Sequence, residues 1–292
     1  MNPTVRTLVS APELAAELTG STPPIVIDAG FDLADPQAGE RDWQAEHLPG
    51  SVYLHLERDL SAPTTGADGR FRGRHPLPDR RVFAATLGAC GITPLTPVVA
   101  LDRHGSVYAA RLWWMLRWMG HADVRVLDGG LAAWRETGFA TTAEPSQPPQ
   151  SGTAPYPDLP ALQEVRDVDQ VAEGIGRMRL IDARAAERFR GDVEPLDPVA
   201  GHIPGALNRS FRDNLAKGGR FKPAQTLRSD FEPLVLGAAG ASAEAVVHQC
   251  GSGVTACHNL LAMEHAGWHG SALYPGSWSE WCADLTRPVA RG

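Results

Sequence analysis

One segment of the chain has residue types and spacing suited to nucleophilic chemistry: Val246-Val247-His248-Gln249-Cys250-Gly251-Ser252-Gly253-Val254-Thr255-Ala256. An apolar run ends in a cysteine, a glycine-rich turn follows, and a helical pattern begins near Val254. A strand that stops at a tight turn leaves its last side chain at the rim of a sheet. A turn opening directly into a helix aims backbone N–H groups and the positive helix end at that side chain, and both favour an anion. The expectation is a Cys250 held largely as thiolate, the nucleophilic form, with Gly251 and Gly253 letting the loop amides converge into a nest. A cysteine in general is more often a small buried hydrophobe; the strand–turn–helix setting favours the reactive reading here.

The elements that must position Cys250 occur twice. Ile25-Val26-Ile27-Asp28-Ala29 answers Leu180-Ile181-Asp182-Ala183, and His47-Leu48-Pro49-Gly50 answers His202-Ile203-Pro204-Gly205. Leu87-Gly88-Ala89-Cys90-Gly91 answers Leu236-Gly237-Ala238-Ala239-Gly240, and Val98-Val99-Ala100-Leu101-Asp102 answers Val246 to Cys250. Asp128-Gly129-Gly130 before Trp134 answers Pro275-Gly276-Ser277 before Trp281. These words keep their order at offsets of 147 to 155 residues, which marks a duplicated unit. Asp102 stands where the second copy has Cys250, so the first copy lacks a nucleophile. Short apolar runs alternate with helical patterns, predicting an α/β fold of two domains, each a mostly parallel sheet flanked by helices. The expected domains are residues 1–142 and 158–292, joined by a Pro-rich linker over 143–157.

Composition narrows the function. The chain has 292 residues, 27 Lys+Arg against 34 Asp+Glu, and a formal charge of -7. No basic cluster suggests nucleic acid or an anionic membrane. No apolar run reaches the roughly 18 residues of a membrane span, and no signal-like stretch follows Met1. Four scattered cysteines (Cys90, Cys250, Cys257, Cys282) form neither a disulfide framework nor a metal knuckle, and a reducing cytoplasm is the default reading.

On the paired His-Leu/Ile-Pro-Gly words, the Asp128-Gly129-Gly130-Leu131 segment and the Cys250–Ala256 loop, nearly the whole chain resembles the tandem-domain rhodanese family of thiosulfate and 3-mercaptopyruvate sulfurtransferases. The resemblance implies a silent first domain and ping-pong sulfur transfer through a Cys250 persulfide, with no metal or organic cofactor. It implies a small sulfur donor, and a thiol, thioredoxin-like reductant or cyanide as acceptor. Cys-Gly-Ser-Gly-Val-Thr loops go with 3-mercaptopyruvate in this family and Cys-Arg-Lys-Gly-Val-Thr loops with thiosulfate. A loop lacking Lys and Arg gives up attraction for the thiosulfate dianion.

The resemblance further implies that Ser252 donates toward the sulfur or developing enolate, that the loop Gly251, Gly253, Val254 and Thr255 cradles the donor, and that Arg188 grips its anionic end. From the first domain, Glu57 and His75 match cleft-facing positions, with Arg74 a further candidate cation. Relatives specific for mercaptopyruvate often carry a second arginine after a Glu-Pro segment; Val193-Glu194-Pro195-Leu196-Asp197-Pro198 has none. His248 is expected to pack or orient, Cys257 to be core, Cys282 to be exposed, Trp278 to line the pocket mouth or pack, and Trp113, Trp114 and Trp118 to be core. Two competing readings are a cysteine phosphatase and a non-catalytic sulfur relay or sensor. Phosphatases of this fold use a Cys-x5-Arg loop, and the corresponding residue here is Ala256.

Overall fold

Buried β-branched runs bounded by polar turns give the short central strands, as their composition dictates. The computed structural model of the protein describes residues 6–146, 154–237 and 242–292. The elements of the first half are β1 (Leu8–Val9), α1 (Ala11–Leu18), β2 (Ile25–Asp28), α2 (Ala38–Ala45), β3 (Val52–Tyr53), α3 (Arg80–Ala89), β4 (Val98–Leu101), α4 (Val107–Trp118), β5 (Val124–Leu127) and α5 (Gly130–Glu136). Those of the second are β6 (Glu164–Val165), α6 (Val168–Gly174), β7 (Arg179–Asp182), α7 (Ala186–Arg190), β8 (Leu207–Asn208), α8 (Ala224–Leu236), β9 (Val246–Gln249), α9 (Thr255–His265), β10 (Ala272–Leu273) and α10 (Ser277–Ala283).

Each half builds a five-stranded sheet, ordered β1-β5-β4-β2-β3 and β6-β10-β9-β7-β8, and every pairing of these strands is parallel. The duplication extends to register: Asp28 pairs with Leu101 in the first sheet, and Asp182 with Gln249 in the second. Asp102 and Cys250 thus follow equivalent strand ends. From β2 the chain runs to one edge of its sheet and from β4 toward the other; β7 and β9 repeat this. Between such strands the carboxyl ends open the crevice where α/β sheets bind ligands.

The chain divides into two compact units. The first comprises Met1–Ser61, Pro78–Leu162 and Lys217–Arg220; the second comprises Ala62–Leu77, Gln163–Ala216 and Phe221–Gly292. A single cut near the expected linker does not contain the excursions at Ala62–Leu77 and Lys217–Arg220. Linker residues 147–153 and the second-copy residues 238–241 lie outside the described residues.

In the first unit, Val9, Leu14, Val26, Val99, Leu101, Leu127, Leu131 and Trp134 form one core cluster. They bring α1 and α5 onto the face to which Val26, Val99 and Leu101 point by strand alternation. A Ser10–Glu13 capping box starts α1. Helix α4 packs on β4 and β5 and buries eleven of its twelve residues, Trp113 and Trp114 among them; Trp118 is half-buried. The second unit closes its core with Val171, Leu180, Val247, Tyr274, Trp278 and Trp281. Trp278 is therefore a packing residue, and Cys282, expected to be exposed, belongs to the same cluster at 2% exposure. Its position on α10 beside Trp281 turns it inward, and burial pushes its thiol up to about 11.

Candidate active site

Strand β9 is buried along its whole length, and Cys250, 2% exposed, is the first residue beyond it. The turn 251–254 then enters α9 at Thr255. Gly253 has φ +77°, and a β-carbon there would fall 2.4 Å from the Pro275 carbonyl oxygen, so glycine alone fits the path. The start of α10 fixes the cysteine's backbone. Cys250 N–H donates to Ser277 Oγ at 3.1 Å, and the Cys250 and Gly251 carbonyls accept from Trp278 N and Ser279 N, each at 3.0 Å. Ser277 adopts the left-handed region with φ 53°, and its hydroxyl donates to Tyr274 O at 2.9 Å.

The first unit displays what this strand–loop–helix path holds. Asp102 Oδ1 accepts from the N–H groups of His104 (2.8 Å) and Ser106 (2.9 Å). Its Oδ2 accepts from those of Tyr108 (2.8 Å) and Ala109 (3.0 Å). Four backbone donors thus wrap one anion at the position equivalent to Cys250. Their counterparts in the second unit are Ser252, Val254, Ala256 and Cys257. Gly105 and Gly253 share the left-handed turn, at φ 71° and 77°. The paths diverge at the next residue, where Ser106 has φ 70° and Val254 φ −87°, and Cys257 N–H donates to Val254 O at 3.1 Å.

Beside the loop runs a chain of alternating charges within the second unit. Asp182 pairs with Arg184 at 2.7 Å, Arg184 with Glu194 at 3.3 Å, and Glu194 with Arg188 at 2.6 Å. Arg188 reaches Asp197 at 3.4 Å, and Asp197 pairs closely with Arg74. Arg184 is buried, stacked over Trp278 at 4.8 Å, and donates to Gly201 O at 2.8 Å. The Glu194 and Asp197 side chains are 3% exposed, whereas those of Arg188 and Arg74 are 18% and 24% exposed. The carboxylates lie on the protein side and the guanidiniums toward solvent. Burial would lift the Glu194 carboxyl, but its bonds to Arg188, the Leu196 N–H and the Arg184 charge leave it below the ordinary range. At Asp197 burial prevails over the Arg74 pair and raises the carboxyl.

The residues singled out from sequence largely converge. Ser252 Oγ lies 2.8 Å from His75 Nδ1, and His75 belongs to the second unit through the 62–77 segment, not to the first as expected. A β-carbon on Gly251 would stand 2.7 Å from Arg74 Nη2 and 3.6 Å from both terminal nitrogens of Arg188, so both arginines border the residue after Cys250. Thr255 opens α9. Glu57 is exposed in the first unit, just after β3, with its backbone N–H on His55 Nδ1 at 3.1 Å. His248 is fully buried, its Nε2 3.0 Å from Met263 Sδ, and Cys257 is buried with its thiol on Gly253 O at 3.3 Å. Sequence reasoning missed Glu194, Asp197 and Ser277. Within residues 193–198 the informative residues are the two acids, not an arginine.

Fold and site together define a duplicated α/β protein whose second copy places a cysteine at the strand–helix junction that, in the first copy, wraps a carboxylate. Comparison with known proteins gives the class its name: the rhodanese-like domain model matches residues 10–137 and 167–284, and the chain belongs to the rhodanese family. It is similar to a Pseudomonas aeruginosa protein named "Probable 3-mercaptopyruvate sulfurtransferase", 46% identical over 287 residues and 98% of each chain. The chicken thiosulfate sulfurtransferase is 33% identical over 88% of this chain and 85% of its own. Among solved structures, the 3-mercaptopyruvate sulfurtransferase from Leishmania major aligns with TM-score 0.81 and 28% identity, over 99% of this chain and 77% of that one. The protein is a sulfurtransferase.

Proposed function

We propose that the protein moves sulfane sulfur from 3-mercaptopyruvate to a thiol acceptor through a persulfide on Cys250. The observation that carries this reading is the Asp102 carboxylate, held by four backbone N–H groups at the position equivalent to Cys250. The strand end and the left-handed glycine turn that lead to this carboxylate recur at Cys250 and Gly253, which supports an anionic sulfur, a thiolate and then a persulfide, at the second copy's junction.

In the first half-reaction the Cys250 thiolate attacks the donor's sulfur. The donor's C–S bond breaks, its electron pair leaves as pyruvate enolate, and a proton taken up at carbon gives pyruvate. Ser252 hydrogen-bonds the enolate oxygen while His75 Nδ1 orients the Ser252 hydroxyl, and Arg188 holds the carboxylate. In the second half, an acceptor thiolate attacks the outer persulfide sulfur and expels the Cys250 thiolate. All four cysteines are free, which suits a reducing cytoplasm and a thiol or thioredoxin-like acceptor. The donor choice rests on charge. No Lys or Arg lies within 251–256, and Arg74 and Arg188 are balanced by Asp197 and Glu194, a setting that favours a monoanion. Thiosulfate is the second donor to compare, since a guanidinium fork also fits a sulfonate.

Intact-mass measurement tests the proposal. Wild type incubated with 3-mercaptopyruvate gains one sulfur atom and releases it to a thiol, and Cys250→Ser gains none. A wild type that never gains the mass, or a Cys250→Ser that still turns over, sinks it.

A further inference from the structure

The stretch that could have carried a second arginine, Val193 to Pro198, supplies an acid, Asp197, and Asp197 pairs with a cation from elsewhere in the same unit, Arg74. Three contacts hold Arg74 in place. Its backbone N–H donates to Ser279 Oγ at 3.1 Å. Gly73, at φ +95°, brings the chain so close that a β-carbon would lie 2.7 Å from Gly276 O. The Arg74 Nη1 donates to Asp197. Ser279 N–H in turn donates to Gly251 O at 3.0 Å, so Arg74 is braced on the helix that fixes the Cys250 backbone. Arg74 Nη2 approaches the β-carbon position of Gly251 to 2.7 Å, and both Arg188 terminal nitrogens approach it to 3.6 Å. Among the described residues, neither Arg74 Nη2 nor Arg188 Nη1 donates to a protein acceptor.

We infer that Arg74 is the second cation of the donor site, gripping the donor carboxylate together with Arg188, and that Asp197 is the positioning residue that aims Arg74 and selects a monoanionic donor. The inference rests on the reading of Cys250 as the sulfur carrier. Each guanidinium turns one edge to a buried carboxylate and leaves another edge for a ligand. Two such edges converging one residue from the nucleophile suit a planar carboxylate on the far side of a short α-keto acid. Two cations against two acids sum to no net charge. A monoanion fits that balance, whereas a dianion places its second charge beside Asp197 without compensation.

Steady-state kinetics of the full chain with 3-mercaptopyruvate and thiosulfate, using Arg74→Ala, Arg74→Lys and Asp197→Asn, tests the inference, with pyruvate as a product inhibitor. Arg74→Ala is expected to raise KM for 3-mercaptopyruvate about tenfold or more, the loss of one charge-assisted contact, and to weaken pyruvate inhibition in parallel, with kcat nearly held. Arg74→Lys keeps the charge and recovers part of the KM. Asp197→Asn shifts the kcat/KM ratio toward thiosulfate. An unchanged KM and pyruvate inhibition in an active Arg74→Ala overturns the role of Arg74; an unchanged donor ratio in Asp197→Asn overturns the role of Asp197. Should Arg74→Ala fail to fold, Arg74→Lys and Asp197→Asn decide by the same readouts. A wild type that forms no persulfide from either donor overturns the sulfur-carrier reading itself, a result distinct from an active wild type indifferent to residue 74.

Discussion

His75 Nδ1 lies 2.8 Å from Ser252 Oγ, joining the 62–77 segment to the hydroxyl two residues beyond Cys250. The pair acts as a unit if the imidazole serves to orient the hydroxyl. His75→Ala and Ser252→Ala are each expected to lower kcat with 3-mercaptopyruvate by about tenfold or more, with the double variant little worse than the poorer single one. A double-mutant cycle in kcat checks this. Fully additive losses would show that the two side chains contribute independently.

Asp102 contributes to stability in the first unit as an anion with four backbone donors. Asp102→Ala leaves those N–H groups without their acceptor and is expected to cost at least about 1–3 kcal/mol, the scale of leaving a buried donor unsatisfied. Asp102→Asn keeps one acceptor oxygen and should lose less. Urea unfolding of the three proteins checks the order; equal midpoints for wild type and Asp102→Ala would remove the carboxylate from the account.

Much of this architecture was legible in the chain because its signals are local. Ser10 ahead of Pro12 is a local signal for the start of α1, and the apolar runs at Val98 and Val246 are local signals for strands. The repeated words predicted two like parallel sheets, and the structure adds that Asp28 pairs with Leu101 as Asp182 pairs with Gln249. The unread features are those that depend on long-range placement. Nothing near His75 says that residues 62–77 pack with the second unit. No local pattern singles out Glu194 and Asp197, and only folding gathers them behind Arg184, Arg188 and Arg74. Cys282 looked exposed because it lies near the C-terminus, yet α10 is buried from Ser277 through Cys282.

The two loop glycines should respond differently to the same substitution. At Gly253 an alanine meets both a left-handed backbone and a carbonyl 2.4 Å away, so Gly253→Ala is expected to cost about 1–3 kcal/mol from the backbone alone and to disrupt the loop around Cys250. At Gly251 the nearest atom is the end of the Arg74 side chain, which can move. Gly251→Ala should therefore hold its stability within about 1 kcal/mol while raising KM by displacing Arg74. Unfolding curves paired with KM values separate the two, and equal destabilisation would contradict the geometry.

His248 gives the fold a pH dependence of definite sign. The ring is fully buried against Met263, 3.0 Å from its sulfur, and burial presses its pKa from 6.5 down to about 3. Between those values the unfolded chain binds a proton that the folded chain refuses. The stability contributed by neutral His248 is fully present above 6.5 and is lost as pH falls toward about 3, at no more than about 1.4 kcal/mol per pH unit. Burial also lowers the His121 pKa, so the first unit adds a loss of the same sign. Glu13, lowered from 4.5 to about 2 chiefly by its Ser10 hydrogen bonds, contributes only in the more acid range, where its capping interactions are lost. Between about pH 7 and pH 5, above the Glu13 window, the raised carboxyls of Asp28, Asp197 and Glu280 act with the opposite sign, so the difference between wild type and a His248 variant, not the slope of either alone, reports His248 in urea unfolding. The stability of wild type relative to His248→Gln, which cannot titrate at that position, should fall as pH drops across that range. An identical slope in both proteins would mean that His248 takes up its proton equally in the folded and unfolded states.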